Sequence, residues 1–351
     1  MCIREKLKAP WRITFDTNPD LCNIQCIMCE EHSPYAPKKK NPLNRLMDFT
    51  IIEKVLEETQ GHGVKEVIPS TMGEPLLYPK FQPLLALLKD YDLKLNLTTN
   101  GTFPKLGARK WAELILPILS DVKISINGAT KATCEKIMQG INFNQLLANI
   151  QIWCKLRDEI YGKGNSRPTI SFQVTYMEQN LEEFPDLLRL AIEMGIDRLK
   201  GHHLWITHPQ LESQSLRRDE KSIGRWNKMV DTLRNIANSQ KDSNGRKIQL
   251  DNVYKLSNLG KSKIPAASKF LCPFLGREAW IAWDGTFNVC CSPDNLRQSL
   301  GDFGNVKNTR FLKLWNSPQY KVLLENWGQY EVCKLCNMKR PTEDIKNHEG
   351  K

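Results

Sequence analysis

Short runs of β-branched and apolar residues recur along residues 12–203, and amphipathic helical patterns separate them. The runs predict six strands, at residues 12–16, 65–69, 93–98, 122–126, 169–174 and 198–203. Helical patterns at residues 51–58, 81–89 and 181–194 lie between them. This alternation predicts an α/β fold made of βαβ units, with a parallel sheet or barrel. In such folds ligands bind at the carboxyl ends of the strands.

Composition narrows the class of protein. The chain has 351 residues, with 50 Lys and Arg against 39 Asp and Glu, and therefore a formal net charge of +11. No apolar run is long enough to span a membrane, and the N-terminal residues lack the apolar core of a secretory signal. We therefore expect a cytoplasmic protein without a membrane partner. In a reducing compartment, clustered cysteines indicate metal or catalytic sites more often than disulfides.

The first cysteine group follows the first predicted strand. Cys22, Cys26 and Cys29 have the spacing Cys-x3-Cys-x2-Cys. Three thiolates at this spacing suit a [4Fe–4S] cluster and leave one iron for a ligand that is not protein. A zinc site or three unrelated thiols are the alternatives.

This motif resembles the cysteine motif of the radical S-adenosylmethionine (SAM) superfamily. The resemblance implies a partial (β/α)6 TIM-type barrel and a [4Fe–4S] cluster whose fourth iron chelates SAM. It also implies reductive cleavage of SAM to a 5′-deoxyadenosyl radical, which abstracts hydrogen from a substrate C–H bond. Met28 stands where many members have an aromatic residue, and its thioether can pack on adenine.

Motifs at later strand ends resemble the family in the expected order. Residues 71–75, Thr-Met-Gly-Glu-Pro, are similar to the Gly-Gly-Glu-Pro loop that binds the SAM ammonium group, although an ordinary βα turn is the alternative. Residues 125–128, Ser-Ile-Asn-Gly, resemble a Ser-x-Asp-Gly motif near the ribose, with Asn replacing Asp. The resemblance and the strand-end positions together give the cofactor-binding candidates Met28, Gly73, Glu74, Thr99, Asn100, Ser125, Asn127, Gln173 and Thr175. Two interpretations fit three residues at the end of the sixth predicted strand, His202, His203 and Trp205: they shape a substrate pocket, or they have only a structural role in packing and hydrogen bonding.

A second cysteine group lies near the end of the chain. It consists of Cys272, a Gly-x4-Cys hairpin at 285–290 with a predicted two-residue turn at 284–285, and the pair Cys333-x-x-Cys336. By spacing alone zinc is an alternative. The pattern resembles the twitch form of the SPASM extension, which binds one auxiliary [4Fe–4S] cluster. The ligands that this implies are Cys272, Cys290, Cys333 and Cys336, with Cys291 as the alternative to Cys290.

The resemblance divides the chain into three parts. These are a radical SAM partial barrel at 1–215, a helical bridge at 216–268 and a twitch/SPASM-like domain at 269–351. Cys134 and Cys154 fall in helical patterns and are predicted core residues. Cys291 is the spare thiol beside the auxiliary cluster, and it is a candidate hydrogen donor in an epimerisation.

The leading functional hypothesis is a radical SAM enzyme that modifies a ribosomally made precursor peptide, by epimerisation or other backbone or side-chain chemistry. The basic charge balance suits a peptide with an acidic leader. A flavodoxin- or ferredoxin-type protein is the expected electron donor. No nucleic-acid partner is expected. A dehydrogenase or epimerase of a sugar, aminocyclitol or cofactor precursor is the alternative. A zinc or iron–sulfur protein that binds nucleic acid or protein without catalysis belongs to another class, and it would not explain the ordered strand-end motifs.

Overall fold

A computed structural model describes residues 6–37, 44–70, 72–162, 164, 166–256 and 270–341. Thr71 of the predicted SAM loop and part of the predicted bridge lie outside the described residues. Nine strands form one sheet: β1 (Arg12–Phe15), β2 (Glu66–Ile68), β3 (Lys94–Thr99), β4 (Leu119–Ser125), β5 (Thr169–Tyr176), β6 (Arg198–His203), β7 (Gln249–Asp251), β8 (Glu278–Ile281) and β9 (Phe287–Asn288). Their order is β9-β8-β1-β2-β3-β4-β5-β6-β7. Neighbours are parallel except β8 and β9, which confirms the predicted α/β class.

Helices connect the successive strands from β1 to β7, as parallel neighbours require. They are α1 (Phe49–Thr59), α2 (Phe81–Asp90), α3 (Gly107–Ile115), α4 (Lys131–Ile137), α5 (Phe143–Tyr161), α6 (Phe184–Glu193) and α7 (Glu220–Ser239). The helix predicted from residue 181 begins at Phe184, after a 3-10 segment at Glu178–Glu183. Pro185 has no N–H for an α-helical bond to residue 181, so the α-helix starts beside it. The predicted bridge supplies α7 and β7, and β7 extends the sheet beyond β6.

The two faces of the sheet differ in chemistry because strand side chains alternate. In β4, Val122 and Ile124 are fully buried in the apolar core, whereas Asp121, Lys123 and Ser125 lie on the opposite, inner face. Three ion pairs join neighbouring strands on the inner face: Arg12–Glu66 (2.6 Å), Arg12–Glu278 (3.4 Å) and Lys200–Asp251 (3.4 Å). A fourth, Arg198–Asp121 (2.6 Å), crosses β5 to join β6 to β4. The interior is therefore polar, and the loops at the carboxyl ends of the strands lie above it.

The C-terminal region continues the same sheet. β8 pairs with β1 in a parallel register from Arg12↔Glu278 to Phe15↔Ile281. The turn between β8 and β9 is longer than the predicted two-residue turn at 284–285. Gly285 N–H donates to Ala282 O and Ala282 N–H donates to Thr286 O, each at 2.9 Å, and Gly285 has a φ of +90°. This is a three-residue loop, in which the left-handed glycine forms a bulge.

Four short helices complete the C-terminal region: α8 (Asp294–Arg297), α9 (Phe311–Trp315), α10 (Pro318–Asn326) and α11 (Glu331–Leu335). Glu58 of α1 accepts hydrogen bonds from Phe311 N (2.8 Å) and Leu312 N (3.1 Å), so its carboxylate caps α9. The C-terminal region is thus attached to β1 by strand pairing and to α1 by the hydrogen bonds of Glu58. No helix in the described part of the chain is long and apolar enough to cross a membrane.

Candidate functional site

The cysteine triplet lies on the loop that leaves β1. The short strand Gln25–Cys26 pairs antiparallel with Met138–Gln139, which precedes α5. Cys29 N–H donates to Cys26 O at 3.0 Å and closes a turn between the second and third cysteines. Cys22, Cys26 and Cys29 are all half-buried. Backbone hydrogen bonds therefore bring the three side chains into one loop.

The three thiols lie in an environment that disfavours free thiolates. Burial raises the pKa of the Cys22 thiol, raises that of Cys26 further and raises that of Cys29 to about 11. Cys22 and Cys29 also raise the pKa of Cys26 by charge repulsion. A bound cationic metal centre would lower the pKa of these thiols, because it stabilises the thiolate form directly.

Gly73 lies where the backbone of two segments meets. A Cβ atom on Gly73 would be 2.0 Å from Asn18 O and 2.9 Å from Leu21 O, so no other residue fits without a backbone shift. Glu74 N–H donates to Leu21 O at 2.8 Å, and Ser70 Oγ donates to Gly73 O at 2.8 Å. The loop after β2 is thus packed directly against the chain that leads to Cys22.

Glu74 binds the end of β3 with both carboxylate oxygens. Its Oε1 accepts from Thr99 Oγ1 and its Oε2 accepts from Asn100 N–H, each at 2.8 Å. Burial raises the pKa of Glu74 to about 7, although the hydrogen bonds from Asn100, Thr99 and Leu76 favour the carboxylate. The carboxylate therefore orders two neighbouring loops.

Asn100 extends this network to the cysteines. Its Nδ2 lies 3.9 Å from Cys22 Sγ and donates to Asn23 Oδ1 at 2.9 Å. Its Oδ1 accepts from Thr102 N–H at 2.9 Å. Through Asn100, the loops after β1, β2 and β3 form one connected structure beside the triplet.

The predicted positions on β4 and β5 fall into two groups. Asn127 and Thr175 are buried, and Asn127 Oδ1 accepts from Thr175 N–H at 2.8 Å, so this pair braces the strand ends. Ser125 and Gln173 are half-buried register partners on the inner face. Gln173 Nε2 lies 3.3 Å from His202 Nδ1. Ser125, Gln173 and His202 are therefore the polar side chains that line the interior here.

The two consecutive histidines on β6 have different environments. His203 is buried against the rings of Tyr176 and Trp226, with centroid distances of 5.5 and 4.7 Å. Burial lowers the pKa of His203 to about 3 and that of His202 to about 4. His203 is a neutral packing residue, whereas His202 faces Gln173 and the interior.

Two residues near the site were not predicted from the sequence. The first is His208, whose Nε2 lies 2.9 Å from Cys29 O. The only sequence signal for a role near the site is that His208 lies in the loop after β6. Lys123 is 6% exposed on the inner face and donates to Asn96 Oδ1. It makes no ion pair within the described residues, and burial followed by the charge of Lys200 lowers its pKa to about 7. Met28, which was predicted, is half-buried and packs against the core.

The second cysteine group brings together five thiols. Cys272, Cys290, Cys291, Cys333 and Cys336 are half-buried, and their charges act on one another. Nowhere in the described ranges do three His, Cys, Asp or Glu side chains approach closely enough to hold a single metal ion. A cubane cluster binds its thiolates at four separate irons and so accommodates wider spacing.

Cys290 differs from every other thiol of this group. The neighbouring thiol of Cys291 lowers the pKa of Cys290, and hydrogen bonds with Ser292 act in the same direction. Burial raises the pKa of Cys272, Cys333 and Cys336. The pKa of Cys290 is therefore shifted in the opposite direction from those of the other thiols of this group.

The Cys-x-x-Cys segment is attached to the barrel by Asn337. Asn337 Nδ2 donates to His203 O at 3.1 Å and to Leu204 O at 2.8 Å, at the carboxyl end of β6. The second cysteine group therefore adjoins the same end of the sheet as the loops around the triplet.

Comparison with known proteins identifies both regions. The model of the radical SAM superfamily matches residues 19–191, which include the triplet and the strand-end loops. Residues 19–191 are therefore a radical SAM domain. The model of the SPASM iron–sulfur cluster-binding domain matches residues 272–337, which begin at Cys272 and include Cys336. This radical SAM protein is therefore an enzyme with a C-terminal SPASM domain.

Two curated relatives are similar to this chain over most of its length. A tungsten-containing aldehyde ferredoxin oxidoreductase cofactor-modifying protein of Pyrococcus furiosus is 22% identical over 343 residues, which are 93% of this chain and 87% of the relative. The pre-heme d1 synthase of Dinoroseobacter shibae is 26% identical over 315 residues, 85% of this chain and 71% of the relative.

Solved structures share the fold. SuiB of Streptococcus suis bound to S-adenosylmethionine has a TM-score of 0.66 and 14% identity, covering 94% of this chain and 72% of SuiB. The protein anSMEcpe with bound AdoMet has a TM-score of 0.65 and 14% identity, covering 94% of this chain and 86% of anSMEcpe. These likenesses confirm the predicted partial TIM barrel.

The cofactors of this radical SAM SPASM enzyme are iron–sulfur clusters and SAM. The residues present fit them, because soft thiolates gather in two groups and iron–sulfur clusters are held by cysteine thiolates.

Proposed function

We propose that Cys22, Cys26 and Cys29 hold the SAM-binding cluster, and that the auxiliary cluster is held by Cys272, Cys333, Cys336 and one of the pair at 290–291. The observation that carries the first assignment is the hydrogen-bonded connection from Cys22 through Asn100 to Glu74. It places the predicted SAM loop against the triplet. When bound, the reduced cluster cleaves SAM to a 5′-deoxyadenosyl radical.

The proposed SAM-binding residues divide into two roles. Gly73, Glu74, Thr99 and Asn100 set the shape of the loops that face SAM, because their polar groups are bonded to one another. Asn127 and Thr175 brace the neighbouring strand ends. The proposed direct contacts come from Ser125, Gln173 and Met28, whose side chains are half-buried.

Anaerobic reconstitution tests this assignment. The expected protein contains about eight irons per chain, four for each [4Fe–4S] cluster, and forms 5′-deoxyadenosine from SAM and dithionite. The matched control replaces Cys154 with Ala, since this thiol is buried in the core on α5 and none of the proposed ligands acts on its charge. Full iron content and 5′-deoxyadenosine formation in the triplet variant Cys22→Ala, Cys26→Ala, Cys29→Ala would refute the proposal.

We further propose that the substrate is a ribosomally made precursor peptide. Two similarities support it: SuiB has been solved bound to the precursor peptide SuiA, at a TM-score of 0.64, and a PqqA peptide cyclase of Bradyrhizobium diazoefficiens is 24% identical over 179 residues.

A small-molecule cofactor precursor is the second candidate. It is favoured because the relatives that span most of both chains are a cofactor-modifying protein and a pre-heme d1 synthase. To separate the candidates, the enzyme, SAM and a flavodoxin or ferredoxin system are incubated with any short acidic peptide encoded next to its gene. A changed peptide mass by mass spectrometry supports the peptide, as does an altered residue configuration by chiral amino-acid analysis, because epimerisation leaves the mass unchanged. Unchanged peptides, with turnover of a cofactor precursor, support the second candidate.

We propose Cys291 as the hydrogen donor if the reaction is an epimerisation. Cys291 adjoins Cys290 in the chain, and the charges of Cys290, Cys336 and Cys272 act on its thiol. A thiol S–H bond is weak enough to donate a hydrogen atom to a carbon radical. The variant Cys291→Ser is expected to retain iron and SAM cleavage but to yield no inverted product. Loss of iron would make Cys291 a ligand, and normal inversion would place the donor elsewhere.

A further inference from the structure

Arg217 lies in the segment between β6 and α7, for which the sequence offers no motif. Its Nη1 donates to Asn337 Oδ1 and lies 3.5 Å from Leu335 O. These two acceptors flank Cys336. The guanidinium group therefore lies against the second half of the Cys-x-x-Cys segment, although Arg217 is more than a hundred residues away in sequence.

The charge of Arg217 is not neutralised by a carboxylate among the described residues. Its neighbour in sequence, Arg218, is exposed and pairs with Glu178 at 2.7 Å and Asp219 at 3.3 Å. Arg217 is half-buried, and the groups that act on its charge favourably are Tyr254 and Cys336. Because an arginine stays protonated in proteins, a permanent positive charge lies beside Cys336.

A second cation, Lys339, lies on the same segment. Lys339 Nζ donates to Lys334 O at 2.6 Å, and Cys336 and Cys333 act on its charge. The remaining nearby cation, Arg297, acts on Cys290 but is paired with Asp294. Arg217 and Lys339 are therefore the cations near the second cysteine group that lack a carboxylate partner within the described part of the chain.

We propose that Arg217, assisted by Lys339, raises the reduction potential of the auxiliary cluster. Reduction adds one electron to a [4Fe–4S] centre and makes it more negative, so a nearby fixed positive charge stabilises the reduced state. Net charge, hydrogen bonding and exposure are the factors by which a protein sets such a potential. Arg217 acts on the cluster through its field and through the position of the Cys336 segment, and so is a positioning residue. The inference rests on the proposed ligands Cys333 and Cys336.

The test is a redox titration monitored by electron paramagnetic resonance, with dithionite as the electron source. The variants are Arg217→Gln, Arg217→Lys and Lys339→Gln, with Arg218→Gln as the matched control. Each is measured in the full chain with both clusters, and again with the triplet cysteines replaced by Ala so that the auxiliary cluster is observed alone. Iron is quantified in every sample.

The expected result is a shift of the auxiliary potential to more negative values in Arg217→Gln and a smaller shift in Lys339→Gln. Arg217→Lys should stay near the wild type, Arg218→Gln should be unchanged, and the SAM-binding cluster should not shift in any variant. Equal shifts in Arg217→Lys and Arg217→Gln, no shift in either Gln variant, or loss of auxiliary iron in Arg217→Gln would each overturn the inference. Absence of iron from the triplet-replaced parent would instead refute the proposed auxiliary ligands.

Discussion

The two cysteine groups are built in opposite ways. The triplet lies on one loop of eight residues, Cys22 to Cys29, which is shaped by a turn within it and by backbone pairing with Met138–Gln139. The second group draws thiols from residues 272 to 336, and it depends on β8 pairing with β1 and on Asn337 binding the end of β6. The comparison shows that one site is mainly local in sequence, whereas the other exists only when the C-terminal region is docked.

The groups also differ in the chemistry of their thiols. Burial raises the pKa of every cysteine in the triplet. In the second group, the neighbouring thiol of Cys291 lowers the pKa of Cys290. The fifth cysteine therefore shifts the acidity of one thiol in a direction that the triplet does not show.

Removal of one group at a time gives the largest expected effect. Replacing the triplet Cys22, Cys26 and Cys29 by Ala should abolish 5′-deoxyadenosine formation and leave about four irons per chain. Replacing Cys272, Cys333 and Cys336 by Ala should also leave about four irons, but SAM cleavage should continue. Iron quantification and chromatography of the nucleoside products measure both. Equal loss of SAM cleavage in the two variants would show that the groups do not have separate roles.

Alkylation of the iron-free protein tests the difference in acidity. Because the thiolate is the reactive form, Cys290, whose pKa is lowered, should react with iodoacetamide at a lower pH than Cys29, whose pKa burial raises to about 11. Rate profiles from pH 5 to 9, read by peptide mass spectrometry, give the order. In Cys291→Ala the reaction of Cys290 should begin at a higher pH, since the neighbouring thiol that lowers its pKa is gone. Similar profiles for Cys29 and Cys290 would contradict the comparison.

Gly73→Ala tests the tight packing next to the triplet. The new Cβ would meet Asn18 O at 2.0 Å, and overpacking of this kind costs about 2 kcal/mol. If the loop adjusts to relieve it, SAM affinity should fall about tenfold or more, because about 1.4 kcal/mol corresponds to a factor of ten. Equilibrium dialysis measures the affinity. The matched control is Gly224→Ala in α7, where a Cβ meets nothing within 4 Å. Equal affinities for the two variants would show that Gly73 does not constrain the SAM loop.

The smallest expected effect concerns the attachment of the C-terminal region. Glu58→Ala removes the acceptor of Phe311 N–H and Leu312 N–H, and loss of such a cap costs about 1 kcal/mol. Limited proteolysis should then cut the C-terminal region faster and release auxiliary iron sooner. The exposed neighbour Glu57 provides the control Glu57→Ala. The same cleavage rate in both variants would show that the region does not depend on this contact.

Much of the barrel could be predicted from the sequence, because its strands are short apolar runs with helices between them. β6 was predicted at its observed residues, 198–203, and β5 was predicted too short by two residues. β7 was missed because three residues, Gln249–Asp251, carry no recognisable strand pattern. The turn at 283–285 was predicted one residue too short, since Asp-Gly is compatible with more than one hairpin loop.

The sequence by itself determined which thiols are close along the chain, because Cys-x3-Cys-x2-Cys confines three side chains to one loop. It also determined the polar residues at the strand ends, since parallel strands place those ends together. Tertiary structure decided that Asn100 joins Cys22 to Glu74, that Asn337 binds the end of β6, and that Arg217 lies against Cys336. Such contacts join residues distant in sequence or depend on side-chain direction. They arise only when packing fixes the relative positions of the loops, and no local pattern encodes that.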